Sequence, residues 1–188
     1  MLLSSLEGNR SCPVTLSKAS RLASVALFLL SFLVPLAFLN AEPDISIDRI
    51  RMYLGQKRSP LVASTQTFVE QGKLNNVDPR LVVAIAGAET GFGLRLCAPN
   101  NYNAWNYFFN NGRCPGSMFV SWNDGVTKVS AYLRRRFISR RGALTTIEQI
   151  GATYCPEPSC EPWVPNVTRF YRDELGGDIS DLRFNRGS

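Results

Sequence analysis

Histidine is absent from this 188-residue chain, and its absence excludes several kinds of active site. Ser-His-Asp and Cys-His hydrolases use an imidazole base, and most catalytic zinc sites include a histidine ligand. Acid–base chemistry is therefore left to carboxylates, tyrosine and lysine. We expect no bound metal and no cofactor.

Charged residues are also scarce, at 19% of the chain, whereas apolar residues reach 45%. These proportions exclude both a disordered chain and one embedded wholly in a membrane. No segment alternates apolar and polar residues as a strand does, and no internal repeat is visible. The sequence therefore predicts one mainly α-helical domain, whose net charge of +6 mildly favours an anionic partner.

The longest apolar run is Leu22–Leu39, eighteen residues without a charge, and it follows Arg10, Lys18 and Arg21. A basic segment before an apolar span of this length predicts either an uncleaved transmembrane signal-anchor or a signal peptide cleaved after Ala41. A buried core helix is the remaining alternative. In the first two cases the basic residues stay in the cytoplasm and the rest of the chain lies outside it, anchored or secreted.

Cysteine usage fits an exported domain. Cys12 precedes the apolar span, and four cysteines follow it: Cys97, Cys114, Cys155 and Cys160. Four cysteines allow three pairings, of which Cys97–Cys114 with Cys155–Cys160 is the simplest. The first of these disulfides could contribute about 3 kcal/mol. A four-cysteine zinc site is the alternative, but no CxxC pair is present.

The sequence divides into four predicted segments. They are a cytoplasmic and membrane-spanning segment over 1–41, a linker over 42–59, a catalytic domain over 60–176 and a loose tail over 177–188. The linker could include a short helix around 47–54.

Several residues in the predicted domain are typical of helix starts and helix ends. Ser59-Pro60 and Asp78-Pro79 each combine an N-cap residue with a proline at the first helical position. The second pair starts a helix over Pro79–Glu89 that is apolar almost all round, so we expect it to be buried at the centre of the domain. Gly91 ends this helix.

Later helices carry similar signals. A capping box at 121–124 predicts a helix that runs to about Ile138. The capping signal at 145–148 predicts a short helix closed by Gly151, and a last helix is predicted over 165–175.

Five arginines lie between Arg134 and Arg141, at the end of one predicted helix. Cations there complement the helix dipole, which is the simplest interpretation. Attraction to anionic wall polymer or lipid headgroups is the alternative. Nucleic acid is not an expected partner, because no stacking aromatic residues alternate with these arginines.

Glu89 is the single carboxylate in the stretch AIAGAETGFG, residues 84–93. It lies in the last turn of its helix, where free carbonyls carry partial negative charge, and its neighbours are apolar or aromatic. Both conditions disfavour the anion and predict a raised pKa. A carboxyl that stays protonated near neutral pH is what a glycosidic general acid requires. A glutamate that only caps a helix or forms a salt bridge is the structural alternative.

The loop over 98–116 combines asparagines with aromatic residues. Amides can hydrogen-bond sugar hydroxyl and N-acetyl groups, and flat rings can lie under sugar C–H faces. An aromatic mini-core beneath a disulfide is the alternative. The candidate substrate-binding residues, in this loop and on either side of it, are Thr90, Phe92, Asn101, Asn103, Trp105 and Trp122.

Four segments resemble the lysozyme-like superfamily, in particular bacterial glucosaminidase domains of the mannosyl-glycoprotein endo-beta-N-acetylglucosaminidase type and soluble lytic transglycosylase domains. They are VDPRLVVAIAGAETGFG, NNYNAWN, FVSWNDGVTKVSAYL and TIEQIGATYC. The resemblance spans about residues 61–175 and implies a mostly helical lysozyme-like domain with a sugar-binding groove. The Gly-Leu-Met-Gln motif of many lytic transglycosylases is absent.

The resemblance also implies roles for individual residues. Glu89 is expected to donate a proton to the oxygen that bridges two N-acetylated sugars. Thr90 stands where relatives carry Ser or Thr beside that acid. Asn103 matches a loop asparagine that lines the site, and Tyr154 matches the aromatic residue that closes the site opposite Glu89.

A second catalytic carboxylate has no clear candidate. Asp124 and Glu148 look like helix-cap residues, and Glu157 lies in a proline-rich loop. Attack by the substrate's own N-acetyl group would remove the need for one. The sequence thus predicts a glycosidase that acts on the glycan strands of peptidoglycan. The alternatives are a lytic transglycosylase that leaves anhydro ends and a non-catalytic wall-binding module.

Overall fold

The computed structural model describes residues 45–107, 119–138, 146–155 and 161–184. This part of the chain is mainly α-helical, with six α-helices and no strand. None of the helices in these four ranges is long and apolar enough to span a membrane. The predicted span over 22–39 lies outside the described residues.

The helices are joined by connections of different length, and the longest is the stretch 91–121 between α3 and α4. In chain order they are α1 (Ile45–Gln56), α2 (Thr65–Asn75), α3 (Pro79–Thr90), α4 (Trp122–Leu133), α5 (Ile147–Tyr154) and α6 (Trp163–Thr168). A 3-10 turn over Pro60–Ser64 precedes α2. Two π-helical turns, Arg134–Ile138 and Arg169–Glu174, continue α4 and α6.

Helix α3 is the central element, as its composition predicts. It contacts α1, α2, α4 and α6, and most of its residues are buried. The Asp78 side chain accepts a hydrogen bond from the Arg80 amide and caps its start. Gly91 ends the helix with a φ of 61°, a left-handed conformation that glycine adopts without strain. Both predicted boundary signals are confirmed.

Residues 45–56, predicted to belong to a linker, form α1 instead. The side chains of Ile50 and Leu54 are fully buried, and Tyr53 packs edge-on against Phe92 with ring centroids 5.4 Å apart. The short helix predicted around 47–54 is confirmed, but it belongs to the domain rather than to a linker, because two apolar positions four residues apart place one of its faces in the core. The compact unit accordingly begins at Asp44.

The predicted loose tail contacts the domain at one buried residue of its described part. Leu182 is only 3% exposed, and its carbonyl accepts a hydrogen bond of 2.9 Å from the Asp78 amide. The Tyr171 hydroxyl donates to the same Asp78 residue, at Oδ2, over 2.9 Å. The segment after α6 thus runs back to the start of α3, and the predicted tail is held there at Leu182.

Helix α4 begins at the predicted position. Ser121 accepts a hydrogen bond from the Asp124 amide, but the Asp124 carboxylate accepts from the Val120 amide, so the capping box is incomplete. The apolar stripe of this helix and of the π-helical turn after it is buried: it comprises Val126, Val129, Leu133 and Phe137.

Helix α5 continues past Gly151, where the sequence predicted its end. Thr146 and Gln149 form a complete capping box, and the helix then runs to Tyr154. Gly151 is buried inside it, and a Cβ there would lie 2.5 Å from Val164 Cγ2 and 3.1 Å from Trp163 Cε3. The glycine therefore permits close packing of α5 on α6, and this is why its usual role as a terminator does not apply.

We expect Gly151→Ala to destabilise the domain by about 1–3 kcal/mol, because the new methyl group overlaps α6. Gly55→Ala, near the end of α1, is the matched control, since its Cβ would meet nothing closer than Val62 Cγ2 at 4.0 Å. The control should be neutral or stabilising by up to about 1 kcal/mol. Denaturant unfolding of both variants measures the difference. Equal effects would contradict the packing role of Gly151.

Candidate active site

Glu89 lies in the last turn of α3, where the buried helix reaches the surface. Its side chain is half-buried, whereas its neighbours Gly87 and Thr90 are buried. The hydrophobic core thus surrounds the helix up to Gly87, while Glu89 itself stays partly exposed. This is the arrangement that the apolar sequence before Glu89 predicts.

Two neutral N–H groups hold the Glu89 carboxyl. The Asn106 amide nitrogen donates to Oε2 over 2.9 Å, and the Trp163 indole nitrogen donates to Oε1 over 2.8 Å. Within the described ranges, no lysine or arginine forms an ion pair with Glu89. The carboxyl is therefore fixed in orientation without a cation that would strongly favour its ionised form.

Burial raises the pKa of the Glu89 carboxyl above its ordinary value, while the hydrogen bonds from Asn106 and Trp163 oppose that rise. Burial prevails because it removes water from the anion, whereas two neutral donors replace only part of the lost hydration. The raised pKa agrees with the direction that the sequence predicts. Such a group can keep its proton closer to neutral pH than an exposed glutamic acid can.

Tyr154 lies beside this carboxyl, on the last turn of α5. Its ring stacks on Trp163 with centroids 5.4 Å apart, and its hydroxyl donates to the Trp105 carbonyl over 2.7 Å. Burial, and then the negative charge of Glu89, raise the pKa of Tyr154 well above its usual value. Tyr154 is therefore a neutral phenol near Glu89, with its proton directed to the backbone.

The asparagines of the loop after Cys97 have different tasks. Asn103 is buried and binds the Tyr107 backbone twice, through its Nδ2 and its Oδ1, each over 2.9 Å. Asn101 is buried as well, and its Oδ1 accepts from the Asn103 amide over 3.0 Å. Asn101 and Asn103 thus shape the loop, and it is Asn106, with a φ of 45°, that contacts Glu89. Asparagine tolerates this left-handed conformation better than most residues.

Three other predicted substrate-binding residues are buried. Thr90 donates to the Ala104 carbonyl over 2.8 Å, and Trp105 donates to the Val82 carbonyl over 2.9 Å. Phe92 packs between aromatic rings of the core. These contacts join α3 to the loop and to the core, and none of the three side chains presents a free surface to a ligand.

Trp122 differs from them because its side chain is half-buried. Its ring lies edge-on to Tyr102, with centroids 5.3 Å apart, and borders Gly93, where a Cβ would lie 3.2 Å from the indole. Trp122 therefore stays a candidate for contact with substrate, because it lies beside the end of the 84–93 stretch that contains Glu89.

The structure brings no second carboxylate to Glu89 within the described ranges. Asp124 binds Lys128 over 2.8 Å and the Val120 amide, and these bonds lower its pKa. Glu148 is exposed on the first turn of α5. Glu157 lies outside the described residues.

Cys97 and Cys155 are both disulfide-bonded. Their predicted partners, Cys114 and Cys160, lie outside the described residues, so the pairing itself stays a prediction. In the described part of the chain, no group of three or more histidine, cysteine or acidic residues could hold a metal ion.

Sequence reasoning missed the two direct partners of Glu89. Asn106 is one of several asparagines in the loop, and Trp163 lies 74 residues away along the chain. Nothing in the spacing of these residues marks them. Only the packing of α6 on α3 and the fold of the loop bring the three side chains together.

Comparison of the chain with protein-family models, with curated proteins and with solved structures found no match.

Proposed function

We propose that this protein cleaves the glycan strands of peptidoglycan, with Glu89 as general acid. The observation that carries the proposal is the Glu89 carboxyl itself: half-buried, raised in pKa, and held by two neutral donors rather than by a cation. Proton donation to a glycosidic oxygen needs a carboxylic acid of this kind. We also propose that the six-helix domain is lysozyme-like and that its sugar-binding groove passes Glu89.

The geometry leaves room for the proton. Each oxygen of the Glu89 carboxyl accepts one hydrogen bond, and a carboxyl oxygen has a second lone pair. A proton on that lone pair can point towards the bridging oxygen of a glycan. As this proton transfers, the bond between the anomeric carbon and the bridging oxygen breaks, and the negative charge returns to Glu89.

Without a second carboxylate, we propose that the sugar's N-acetyl group supplies the electrons. Its carbonyl oxygen attacks the anomeric carbon as the bridging oxygen leaves, which forms a cyclic oxazolinium ion. Because the Tyr154 proton is directed to the Trp105 carbonyl, the free lone pairs of the phenol oxygen can face this developing positive charge. We therefore propose that the Tyr154 oxygen stabilises this positive charge through its lone pairs and does not remove a proton.

Two outcomes share this first step. If water attacks the anomeric carbon, the product has a new reducing end. If the sugar's own 6-hydroxyl attacks, the product has an anhydro end. Glu89, now ionised, can accept the proton released in either reaction, so the described residues serve the hydrolytic and the lytic reaction equally.

The setting proposed for this reaction is extracytoplasmic. The disulfide bonds of Cys97 and Cys155 support an oxidising compartment. The apolar segment over 22–39 is proposed to carry the domain there, either as a membrane anchor or as a signal peptide. The proposed partners are the wall glycan and, through that segment, the membrane, with no cofactor.

Digestion of purified sacculi by the full-length chain in detergent tests the proposal, with mass analysis of the soluble products. New reducing ends would identify hydrolysis, and anhydro ends would identify lytic cleavage. Binding to sacculi with no released product would support a wall-binding module instead. If the chain neither binds sacculi nor releases products from them, peptidoglycan is rejected as the substrate.

We expect cleavage to fall as pH rises through the raised pKa of Glu89, because the proton donor is then lost. The rate should persist to higher pH than the ordinary pKa of a glutamic acid would allow. The initial rate of product release against pH measures this, with circular dichroism confirming that the fold is intact at each pH. A rate that increases steadily with pH would contradict the role of general acid.

A further inference from the structure

We propose that Trp163 is the positioning residue for Glu89, and that its indole N–H holds the carboxyl in the orientation from which the proton is delivered. This inference rests on the proposed role of Glu89 as proton donor. It assigns a function to a residue that no motif in the sequence marks. Three properties of the indole suit it to this role: it is held by its neighbours, it leaves lone pairs of the carboxyl free, and it is uncharged.

The orientation of the indole is set by packing rather than by Glu89. Trp163 is the first residue of α6 and is only 6% exposed. Tyr154 stacks on its ring at an interplanar angle of 28°, and on α5 the missing side chain of Gly151 makes room for the six-membered part of the indole. A ring held by both neighbours keeps its N–H direction whether or not the carboxyl is charged. This is the support that a preorganised catalytic group requires.

The indole and the Asn106 amide act on different oxygens of the carboxyl. The indole nitrogen lies 2.8 Å from Oε1, and the amide nitrogen lies 2.9 Å from Oε2. Two donors on two oxygens fix the plane of the carboxyl, which a single donor would allow to rotate. One lone pair on each oxygen stays available for the transferred proton.

The neutrality of the indole is essential to this role. A lysine or arginine at the same position would orient Glu89 equally well, but its charge would strongly favour the carboxylate and lower the pKa of the acid. An indole has one N–H and no charge, so it can bind an oxygen of the anion and of the protonated acid. Trp163 thus positions the acid and largely preserves its proton.

The indole N–H can be followed directly by NMR in the uniformly ¹⁵N- and ¹³C-labelled wild-type chain. The protein has three tryptophans, and the Trp105 indole donates to the Val82 carbonyl, which does not titrate. We expect the Trp163 indole signal to shift with pH in parallel with the side-chain carboxyl carbon of Glu89, while the Trp105 signal stays constant. In Glu89→Gln the Trp163 shift should disappear. If the Glu89 carbon titrates and the Trp163 signal does not follow, the inference is overturned.

This measurement needs no activity, so it separates the inference from the proposed function. Wild-type protein that releases no product from sacculi would reject the proposed reaction. The titration would still decide whether Trp163 binds the carboxyl. The titration also uses no Trp163 variant, so its result does not depend on whether such a variant folds.

The kinetic counterpart is Trp163→Phe, which keeps a ring on Tyr154 and removes the N–H. We expect cleavage at the optimal pH to fall about 10- to 100-fold, as for a catalytic group that is no longer held in place. The high-pH limit of activity should move upward, because the Glu89 anion loses one of its donors. A purely structural role would lower the rate in proportion to the folded fraction and leave that limit unchanged. The second pattern would overturn the inference.

Discussion

Glu89→Gln should reduce glycan cleavage by about 10²- to 10⁴-fold, the contribution usual for a positioned general acid. Glutamine has the same shape and no transferable acidic proton. The carbonyl oxygen of the new glutamine can still accept from the Trp163 indole. If the Asn106 amide turns by 180°, its oxygen can accept a hydrogen bond from the side-chain nitrogen of that glutamine. The loss should therefore be chemical, and sacculus digestion with the folded variant measures it.

The stability of Glu89→Gln should not fall, and at neutral pH it should equal or exceed that of the wild type. Burial raises the pKa of Glu89, so the folded state binds its proton more tightly than the unfolded state does. This contribution is fully present below the unfolded pKa and is lost as pH rises through the folded pKa. Glutamine removes that dependence. Thermal unfolding at acidic and neutral pH should show the advantage of the variant growing with pH.

Glu70→Gln is the matched control, because it makes the same change on the exposed surface of α2. Glu70 accepts a hydrogen bond from Gln66, and neither residue contacts the site. We expect wild-type cleavage and nearly wild-type stability. Full activity in Glu89→Gln, or equal losses in the two variants, would remove Glu89 from the proposed mechanism.

Asp78→Ala should destabilise the domain by about 3–5 kcal/mol, the usual cost of breaking a buried ion pair on one side. Asp78 is 2% exposed and Arg80 8% exposed, and their shortest N–O distance is 2.6 Å. The same carboxylate caps α3 through the Arg80 amide and accepts from the Tyr171 hydroxyl. Its removal would take an anionic partner from a buried guanidinium, which also donates to the Gly176 carbonyl over 2.7 Å.

Denaturant unfolding measures this loss, and two further variants identify its origin. Asp48→Ala removes an exposed partner of Arg51 and should cost less than about 1 kcal/mol. Asp78→Asn keeps a helix-capping oxygen and loses the charge, so its cost should lie between those of the two alanine variants. If Asp78→Ala costs no more than Asp48→Ala, the network around Asp78 does not hold the segment after α6 in place.

The elements that short-range signals specify could be predicted from the sequence. Asp78-Pro79 and Gly91 mark the two ends of α3 because capping and left-handed termination involve only adjacent residues. The sequence also predicts that the pKa of Glu89 is raised, because a single acid at the end of an apolar helix is partly removed from water. The assignments of Thr90 and Trp105 to substrate binding had no such basis, because residue type does not distinguish a buried side chain from one in a groove.

The errors have a common physical origin in tertiary packing. Helix α5 continues through Gly151 because Trp163 and Val164 of α6 pack against this residue. The sequence of α5 alone does not indicate these contacts. Residues 45–56 form a helix of the domain because Ile50 and Leu54 are buried in a core that the rest of the chain supplies. The same limit hid Trp163, which meets Glu89 only through the packing of α6 on α3.

The Thr90 hydroxyl donates its one proton to the Ala104 carbonyl over 2.8 Å, lies 3.2 Å from the Ala86 carbonyl, and accepts from the Gly93 amide over 2.9 Å. A serine could reproduce this arrangement and a valine could not, whatever the activity of the protein. A related chain could therefore keep the Glu-Thr pair for reasons of folding alone. A counterpart of Trp163, whose indole N–H binds the Glu89 carboxyl rather than the backbone, would be the better guide to whether a relative still performs the same chemistry.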